Sequence, residues 1–241
     1  MGMKRYQQKM DIPFFLQLNK EDQQYLLYSG DRKTIKCGTL IYQEGDQLDD
    51  LYLILSGSVR MLKNAHEDQT FILHLKPKFH IIGEEILFQS SRAMLTVEAL
   101  EDCVLVKLPK RQMEEAFIHN PRLRMHFMKL AAFSNQRTQA KFTDLLMYEK
   151  TGALYSVLIR LANSYGIIHD KGDIHIDIRL THQEIAHIIG TSRETVNRMF
   201  TELKKQQLIS MDRHSLIIHN INALKNELHC EKCSVEVCTM A

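Results

Sequence analysis

The sequence predicts an α+β fold in three parts: an N-terminal β-roll of the jelly-roll type, a long helix and a C-terminal winged helix-turn-helix. Three observations predict it. Short apolar runs with glycine turns fill residues 10–110, helical patterning begins near Lys110, and two helix-start signals flank Gly190. At 241 residues, with 44% apolar and 25% charged side chains, the chain is long enough for two globular domains with cores.

The β-roll is predicted from its short strand-like runs. Gly38–Asp46 is an apolar run that ends at a glycine turn, and Leu51–Leu62 has the pattern of two strands around a Ser-Gly turn. Phe71–Leu75 and Leu95–Leu108 add further strands. Many short strands separated by glycine turns are typical of a barrel or jelly roll.

The long helix is predicted to begin near Pro121, where a missing amide hydrogen costs little. An apolar seam follows at helical spacing: Leu123, Phe127, Leu130 and Ala131. Such a seam between two domains favours a dimerisation helix, and packing within the helix's own subunit is the alternative.

The last part of the chain has the pattern of a winged domain. Ala153–Tyr165 is amphipathic, and apolar and polar residues then alternate from Ile174 to Leu180, which predicts a half-buried strand. Leu208–Met211 and Leu216–His219 predict a β-hairpin wing. We expect domain bounds at 1–118 for the β-roll, 119–148 for the dimerisation helix, 149–222 for the winged helix-turn-helix and 223–241 for a cysteine tail.

Two tandem capping boxes predict the helix-turn-helix itself. Thr181 with Glu184, and Thr191 with Glu194, each have the spacing of a capping box, and Gly190 lies between them as the turn. The apolar positions are at helical spacing: Ile185, Ala186, Ile188 and Ile189 in the first helix, and Val196, Met199, Phe200 and Leu203 in the second.

The second helix carries polar side chains on its other face. These are Arg193, Glu194, Asn197 and Arg198, within its first two turns. A recognition helix places its N-terminal residues on base edges, where arginine pairs with guanine and glutamate accepts from cytosine. We therefore predict a protein that binds double-stranded DNA, and Thr181 and Ser192 complete the predicted DNA-binding set.

Net charge and hydropathy indicate how the protein binds DNA and in which compartment we expect it. The net charge is only +2, so binding to DNA requires a local basic face. Around the motif that face is supplied by Arg179, Arg193, Arg198, Lys204, Lys205 and Arg213. No segment has the roughly 18 apolar residues of a membrane span, and the N-terminus lacks the apolar run of a signal peptide. We expect a cytoplasmic protein.

The chain contains five cysteines. Cys37 and Cys103 fall in strand-like segments, and Cys230, Cys233 and Cys238 form a C-x2-C-x4-C tail. The tail has too little apolar mass for these cysteines to be core residues. Thiolates bind zinc and iron–sulfur clusters, normally with four ligands, or act as redox switches. From the residues alone, all three interpretations stay open.

The order of β-roll, long helix and winged helix-turn-helix resembles the CRP/FNR family of bacterial transcription regulators. The pattern from Ser192 to Arg198 is similar to the CRP type of recognition helix; enterobacterial FNR proteins lack the leading arginine. The resemblance implies a cyclic-nucleotide-binding-like β-roll and a homodimer on inverted TGTGA-like half-sites about 34 Å apart. It implies that Arg193 and Arg198 read guanine, that Glu194 reads cytosine, that Asn197 is a phosphate or helper contact, and that the bound dimer contacts RNA polymerase.

The tail, together with Thr151–Gly166 and Arg193–Met199, resembles the Bacillus-type FNR regulators. This resemblance implies one [4Fe–4S] cluster per subunit, with Cys230, Cys233, Cys238 and Asp144 as its four ligands. It also implies an oxygen-responsive regulator, mainly an activator of anaerobic respiration and fermentation genes, whose DNA binding requires the intact cluster. A carboxylate binds iron more weakly than a thiolate does, so such a cluster should be labile to oxygen.

Three alternatives remain. The tail could hold zinc or act as a thiol redox switch in a CRP-type regulator. The β-roll could bind an effector, because Gly83-Glu84-Glu85 and Arg92-Ala93 loosely resemble the CRP phosphate-binding cassette, although the shorter spacing and Ala93 disfavour cAMP. An enzyme would have to use His74 and His80, and without a nucleophile–base pair or a P-loop we expect no catalysis.

Overall fold

The structure is a computed structural model that describes residues 4–5, 12–64, 70–88, 92–169, 172–212, 215–228, 230 and 234–241. The chain forms two compact units. The first spans Ile12–Asn135 and includes Ala241, and the second comprises Met1–Asp11 and Gln136–Met240.

The described helices and strands are as follows, in chain order. The strands are β1 (Lys4–Arg5), β2 (Asp31–Ile35), β3 (Leu40–Tyr42), β4 (Asp50–Ser56), β5 (Ser58–Asn64), β6 (Thr70–Pro77), β7 (Ile81–Ile82), β8 (Thr96–Ala99), β9 (Cys103–Pro109), β10 (Gly166–Ile168), β11 (Ile174–Ile176), β12 (Ile209–Asp212) and β13 (Ser215–Ile218). The α-helices are α1 (Phe14–Gln17), α2 (Lys20–Tyr28), α3 (Lys110–His119), α4 (Pro121–Met147), α5 (Lys150–Tyr165), α6 (His182–Ile189), α7 (Arg193–Lys205) and α8 (Ile221–Glu227). A 3-10 turn spans Glu84–Leu87.

The first unit contains the predicted jelly roll. Two four-stranded antiparallel sheets, in the orders β2-β9-β4-β7 and β3-β8-β5-β6, enclose a core of aliphatic side chains. The predicted Ser-Gly turn joins β4 to β5 at Gly57, whose φ is +82°. A Cβ at this position would lie 2.6 Å from the sulfur of Cys103, so both the backbone angle and the close approach require glycine.

The prediction of mostly β structure from residue 10 is wrong for residues 14–28, which form α1 and α2. Asn19 starts α2, because its side chain accepts a hydrogen bond from the amide of Asp22 at 2.8 Å. Such an N-cap is a local signal of a helix start, and the prediction of strands did not take it into account. The prediction of Cys37 in a strand is also wrong, since it lies in an exposed turn between β2 and β3.

The long helix is confirmed as α4. The expectation that its apolar seam contacts a second subunit is wrong. Leu123, Phe127 and Leu130 are buried in the core of the first unit. The ring of Phe127 lies 4.7 Å from that of Phe14 and 5.1 Å from that of Phe117. These side chains therefore pack within their own subunit, which was the alternative to a dimer contact.

The second unit is a winged helix-turn-helix. Its antiparallel sheet has the order β1-β10-β11-β13-β12, and β12 and β13 form the predicted wing, whose tip residues 213–214 lie outside the described residues. The strand predicted for Ile174–Leu180 ends at Ile176, because the chain then leaves the ladder for the loop before α6. The added strand β10, which directly follows α5, was not predicted. In the part of the chain that the structure describes, no helix is long and apolar enough to cross a membrane.

Candidate functional site

The first helix of the motif begins and ends as its sequence predicts. The hydroxyl oxygen of Thr181 accepts from the amide of Glu184 at 3.1 Å, and the Glu184 carboxylate accepts from the amide of Thr181 at 2.7 Å. This is a complete capping box. The helix ends at Gly190, whose φ of 62° is left-handed.

The capping box predicted at Thr191 and Glu194 is wrong, because α7 begins one residue later at a simple N-cap. The N-cap of α7 is Ser192, whose hydroxyl oxygen accepts from the amide of Thr195 at 3.2 Å. Thr191 cannot take this role, because its amide still donates to the carbonyl of Ala186 at 3.0 Å and so closes the end of α6. Ser192 is therefore the structural cap of α7, and its predicted contact with DNA stays a prediction.

The two faces of α7 separate as expected. All eight apolar positions predicted for the two helices are buried: Ile185, Ala186, Ile188, Ile189, Val196, Met199, Phe200 and Leu203. The four polar side chains predicted for the DNA-facing surface are exposed on the opposite face: Arg193, Glu194, Asn197 and Arg198. The helix is thus anchored by one face and presents the other to solvent.

Electrostatics at the start of α7 favour an ionised glutamate. The pKa of Glu194 is lowered, first by a hydrogen bond from its own backbone amide, then by one from the Ser192 hydroxyl and by the charge of Arg193. An ionised carboxylate is a hydrogen-bond acceptor, which is the property that the predicted contact with a cytosine amino group requires.

His182 is a residue of this surface that the sequence analysis did not single out. Its Nδ1 contacts the side-chain oxygen of Asn197, and its ring lies 4.6 Å from the ring of Phe200. Asn197 is therefore braced by the first helix. A histidine at the first position after the Thr181 cap, facing the second helix, is the signal that could have identified it.

The predicted basic face is present around the motif. Lys204 and Lys205 are exposed alongside the arginines of α7, Arg179 precedes α6, and Arg213 lies outside the described residues. Lys150, at the start of α5, donates to the carbonyl of Gly190 at 2.9 Å, so α5 is tied to the turn of the motif.

The described end of the cysteine tail, residues 236–240, is bonded to side chains of α4 and α5 in the second unit. Cys238 is buried and Cys230 is half-buried, whereas Cys233 lies outside the described residues. The expectation that no tail cysteine is a core residue is therefore wrong for Cys238, because the tail packs against the unit instead of extending into solvent. Five polar side chains hydrogen-bond to the main chain of residues 236–240, and we call them the tail cradle. They are Arg137 to the carbonyl of Glu236 (2.7 Å), Arg160 to Val237 (3.0 Å), Asn163 to Cys238 (2.8 Å), Lys141 to Met240 (3.0 Å), and the Ser164 hydroxyl, which accepts from the Met240 amide (2.9 Å).

Asp144 is joined to this cradle. Its Oδ2 accepts from Arg160 Nη2 at 2.6 Å and from the hydroxyl of Ser156 at 2.5 Å. No hydrogen bond from the described residues reaches its Oδ1. The Arg160 side chain is only 3% exposed, so one buried guanidinium bridges the predicted carboxylate ligand and the main chain next to Cys238.

The described residues contain no group of three His, Cys, Asp or Glu side chains placed to hold a metal ion. Asp144, Cys230 and Cys238 therefore do not form a finished metal centre, and the third tail thiol lies outside the described set. The donor chemistry does fit an iron–sulfur cluster, since thiolates are its usual ligands. The buried Arg160 charge beside Asp144 would offset the negative charge of such a group.

The next feature is the segment of the β-roll that loosely resembles the CRP phosphate-binding cassette. Glu84 is buried and forms an ion pair with Lys76 at 2.7 Å, and Arg92 donates to the carbonyl of Gly45 at 3.0 Å. Two of the three charged side chains of the CRP-like cassette, Glu84 and Arg92, are thus engaged within the unit. Two buried atoms, Tyr42 Oη and Glu84 Oε2, have no hydrogen-bond partner among the described residues. The pKa of Tyr42 is raised well above its usual value, mainly by burial and then by Glu85.

His74 and His80 are both buried in the β-roll. The Nδ1 of His80 lies 3.2 Å from the carbonyl oxygen of Pro77, and neither residue belongs to a group of metal-ligating side chains in the described chain.

A winged DNA-binding domain that follows a jelly roll and a long helix defines a class of transcription regulators. Residues 152–227 match the Crp-like helix-turn-helix domain, and residues 32–120 match the cyclic nucleotide-binding domain. The anaerobic regulatory protein of Bacillus subtilis (strain 168) is 38% identical over 87% of this chain and 88% of its own. The cAMP-activated global transcriptional regulator CRP of Salmonella typhimurium is 31% identical over 75% of this chain and 85% of its own.

Solved structures share the fold. That of a CooA mutant from Carboxydothermus hydrogenoformans matches with a TM-score of 0.76 and 20% identity, over 90% of this chain and 96% of that one. The chain belongs to the CRP/FNR family of transcription regulators and is a DNA-binding protein.

Proposed function

We propose that this chain is an oxygen-responsive transcription regulator whose DNA binding depends on a [4Fe–4S] cluster, one per subunit. Cys230, Cys233, Cys238 and Asp144 would hold the cluster. When bound, the cluster supplies a group that oxygen destroys. The likeness to an anaerobic regulatory protein supports this proposal. The observation that carries it is the ion pair of Asp144 with Arg160, which also bonds the tail next to Cys238.

The DNA site is proposed from the chemistry of α7. Arg193 and Arg198 are exposed and carry forked donors suited to guanine, and Glu194 is held ionised as an acceptor for cytosine. These preferences correspond to an inverted repeat of TGTGA-like half-sites read by a two-fold dimer. Once bound, the dimer would contact RNA polymerase and mainly activate genes of anaerobic respiration and fermentation.

The proposed dimer uses exposed side chains of α4 rather than its buried seam. Exposed residues alternate at spacings of three and four in the heptad pattern of a coiled coil. They are Met125, Met128, Ala132, Asn135, Gln139, Phe142 and Leu146. Met125 and Met128 are 51% and 49% exposed, and Phe142 and Leu146 are 62% and 67% exposed. Apolar surface of this kind at heptad spacing favours a second copy of the same helix.

Size-exclusion chromatography with light scattering tests this dimer. Phe142→Glu places a charge in the heptad and should reduce the measured mass from that of a dimer to that of a monomer. Thr143→Glu, its exposed neighbour outside the heptad, is the matched control and should leave the mass unchanged. Equal masses for the two variants would overturn this use of α4.

Contacts between the two ends of the second unit supply a route from the tail to the DNA-reading helix. The hydroxyl of Tyr148 donates to the carbonyl of Leu228 at 2.9 Å, shortly before the tail. Two residues on, Lys150 donates to Gly190 in the turn of the motif. A tail that shifts when the cluster is lost would thereby move the residues that hold the turn.

Iron and acid-labile sulfide content, measured on anaerobically purified full-length protein, tests the proposed function. We expect about four iron atoms per chain and tight binding to a duplex with inverted TGTGA half-sites, both lost in air. Cys238→Ser should remove the iron, and Cys37→Ser, an exposed cysteine of the β-roll, should not. Colourless protein that contains zinc and binds DNA equally well in air would leave a DNA-binding regulator and overturn its oxygen sensing.

A further inference from the structure

Arg160 is the side chain of the tail cradle that bonds to Asp144 as well as to the tail. Its Nη2 donates to Asp144 Oδ2 at 2.6 Å and its Nη1 donates to the Val237 carbonyl at 3.0 Å. Its Nε donates to the hydroxyl of Ser156 at 3.2 Å, and that hydroxyl in turn donates to Asp144 Oδ2. All three nitrogens of the guanidinium are therefore used within one small network.

This network constrains the Asp144 carboxylate. Oδ2 accepts two hydrogen bonds from side chains that are 3–5% exposed, whereas Oδ1 accepts none from the described residues. A carboxylate fixed by one oxygen offers its other oxygen as a single ligand atom. Because Asp144 is itself 23% exposed, it is not shut away from an incoming metal group.

The same guanidinium also fixes the main chain beside a predicted thiolate ligand. Val237 directly precedes Cys238, whose carbonyl is held from the other side by Asn163 at 2.8 Å. A planar, forked guanidinium fixes both distance and direction between the two groups that it bonds, which a lysine ammonium cannot do. The separation of the carboxylate and the Cys238 segment is thus set by Arg160.

We propose that Arg160 is a positioning residue for the cluster site: it presents Asp144 as a ligand through Oδ1 and holds the tail so that Cys238 lies within reach of the same group. This inference rests on the proposed function, because it assigns a role toward the cluster. Its first half concerns the protein without metal and can be measured alone. Arg160 does not itself touch the cluster in this proposal.

The metal-free test is alkylation of the full-length apo protein by iodoacetamide, with each cysteine followed by mass spectrometry. Arg160→Gln and Arg160→Lys should both make Cys238 react about tenfold faster, as expected when a charge-assisted hydrogen bond no longer opposes local opening. Exposed Cys37 gives the reference rate, and buried Cys103 reports on the first unit. The urea unfolding midpoint of each variant shows whether the second unit, which contains Arg160, is still folded. An unchanged Cys238 rate in both variants would overturn the proposal.

The second test separates positioning from a general loosening of the tail. Asn163→Ala removes a bond to Cys238 and leaves Asp144 untouched, so it is the matched control. Half-lives of the iron–sulfur absorption in air are measured for these variants alone and combined with Asp144→Asn. If Arg160 acts partly through Asp144, Arg160→Gln shortens the half-life by a smaller factor in the Asp144→Asn background than in the wild type, whereas Asn163→Ala shortens it by the same factor in both backgrounds.

The outcomes are distinguishable. Faster Cys238 alkylation in Arg160→Gln with an unchanged cluster half-life, or with effects that simply add to those of Asp144→Asn, would reduce Arg160 to a tail anchor and overturn the positioning role. A wild-type chain that takes up no iron and sulfide would overturn the proposed function and this inference with it. The alkylation rates would then still report whether Arg160 holds the tail.

Discussion

The second unit contains two small polar sites, the caps of the helix-turn-helix and the tail junction, which we define as Asp144, Arg160 and Val237. The two sites differ in how far apart in the chain their bonded residues lie. The caps of α6 and α7 join residues three positions apart. The tail junction joins Asp144 to Arg160 and Arg160 to Val237, which are 16 and 77 positions apart. A site built from neighbours forms with its helix, whereas a site built from distant segments forms only when the whole unit folds.

The largest effect should come from breaking the tail junction. Asp144→Ala removes the charge partner of the buried Arg160, and breaking such a pair by removing one member costs about 3–5 kcal/mol. We expect the second unit to melt at lower denaturant in urea titrations, even without metal. The Asp144→Asn variant retains a hydrogen-bond acceptor and should lose less. If both variants melt like the wild type, the junction is not a stabilising element.

The DNA-reading face should respond next, and without any change in fold. Arg198→Ala removes the proposed forked guanine contact and should weaken binding to each proposed TGTGA-like half-site by about 1–3 kcal/mol, with specificity lost at that base pair. Binding to duplexes changed one base pair at a time measures this. Lys204→Ala, an exposed cation without a base-reading role, should weaken binding equally on all sequences and lower the salt dependence. Equal specificity profiles for the two variants would remove Arg198 from the base-reading set.

Sequence reasoning succeeded where signals are local. The Thr181 capping box, the left-handed Gly190, the buried faces of α6 and α7 and the wing all follow from spacing and residue type within a few positions. The jelly roll followed from its short strands and turns. The same reasoning failed for α1 and α2, because short apolar segments fit a strand and a helix equally well until a cap such as Asn19 is noticed.

The remaining misses share a different cause. The apolar seam of α4 was identified correctly, but only tertiary packing shows that Phe127 contacts Phe14 and Phe117 of its own unit. Asp144 was predicted as a cluster ligand only from the family resemblance. No pattern in the sequence around it predicts its ion pair with Arg160. Long-range pairs of this kind leave no periodicity, so the sequence cannot locate them.

The two candidate caps of α7 provide a smaller test of the local site. Ser192→Ala removes the hydroxyl that accepts from the Thr195 amide and should cost about 1 kcal/mol of stability. Thr191→Ala should cost much less, because the cap of α7 is Ser192 and not Thr191. Urea unfolding of the two variants compares them directly. A larger loss of unfolding free energy for Thr191→Ala than for Ser192→Ala would show that Thr191 is the cap of α7.

The smallest effect expected is a shift in the titration of Glu194, which is fully exposed. Its pKa is lowered by its own backbone amide, by the Ser192 hydroxyl and by Arg193. Because the folded-state pKa lies below the unfolded value, the ionised carboxylate favours the folded state at higher pH, and this contribution is lost as the pH falls through the folded pKa. Ser192→Ala should move the pKa of Glu194 back toward its usual value, measured by NMR titration of its side-chain carboxyl carbon. Cytosine recognition in the variant should then weaken at a higher pH than in the wild type, since a protonated carboxyl loses acceptor strength. A Glu194 titration that is unaffected by the loss of Ser192 would leave the backbone amide and Arg193 as its causes, and would separate the cap of α7 from its chemistry at the DNA.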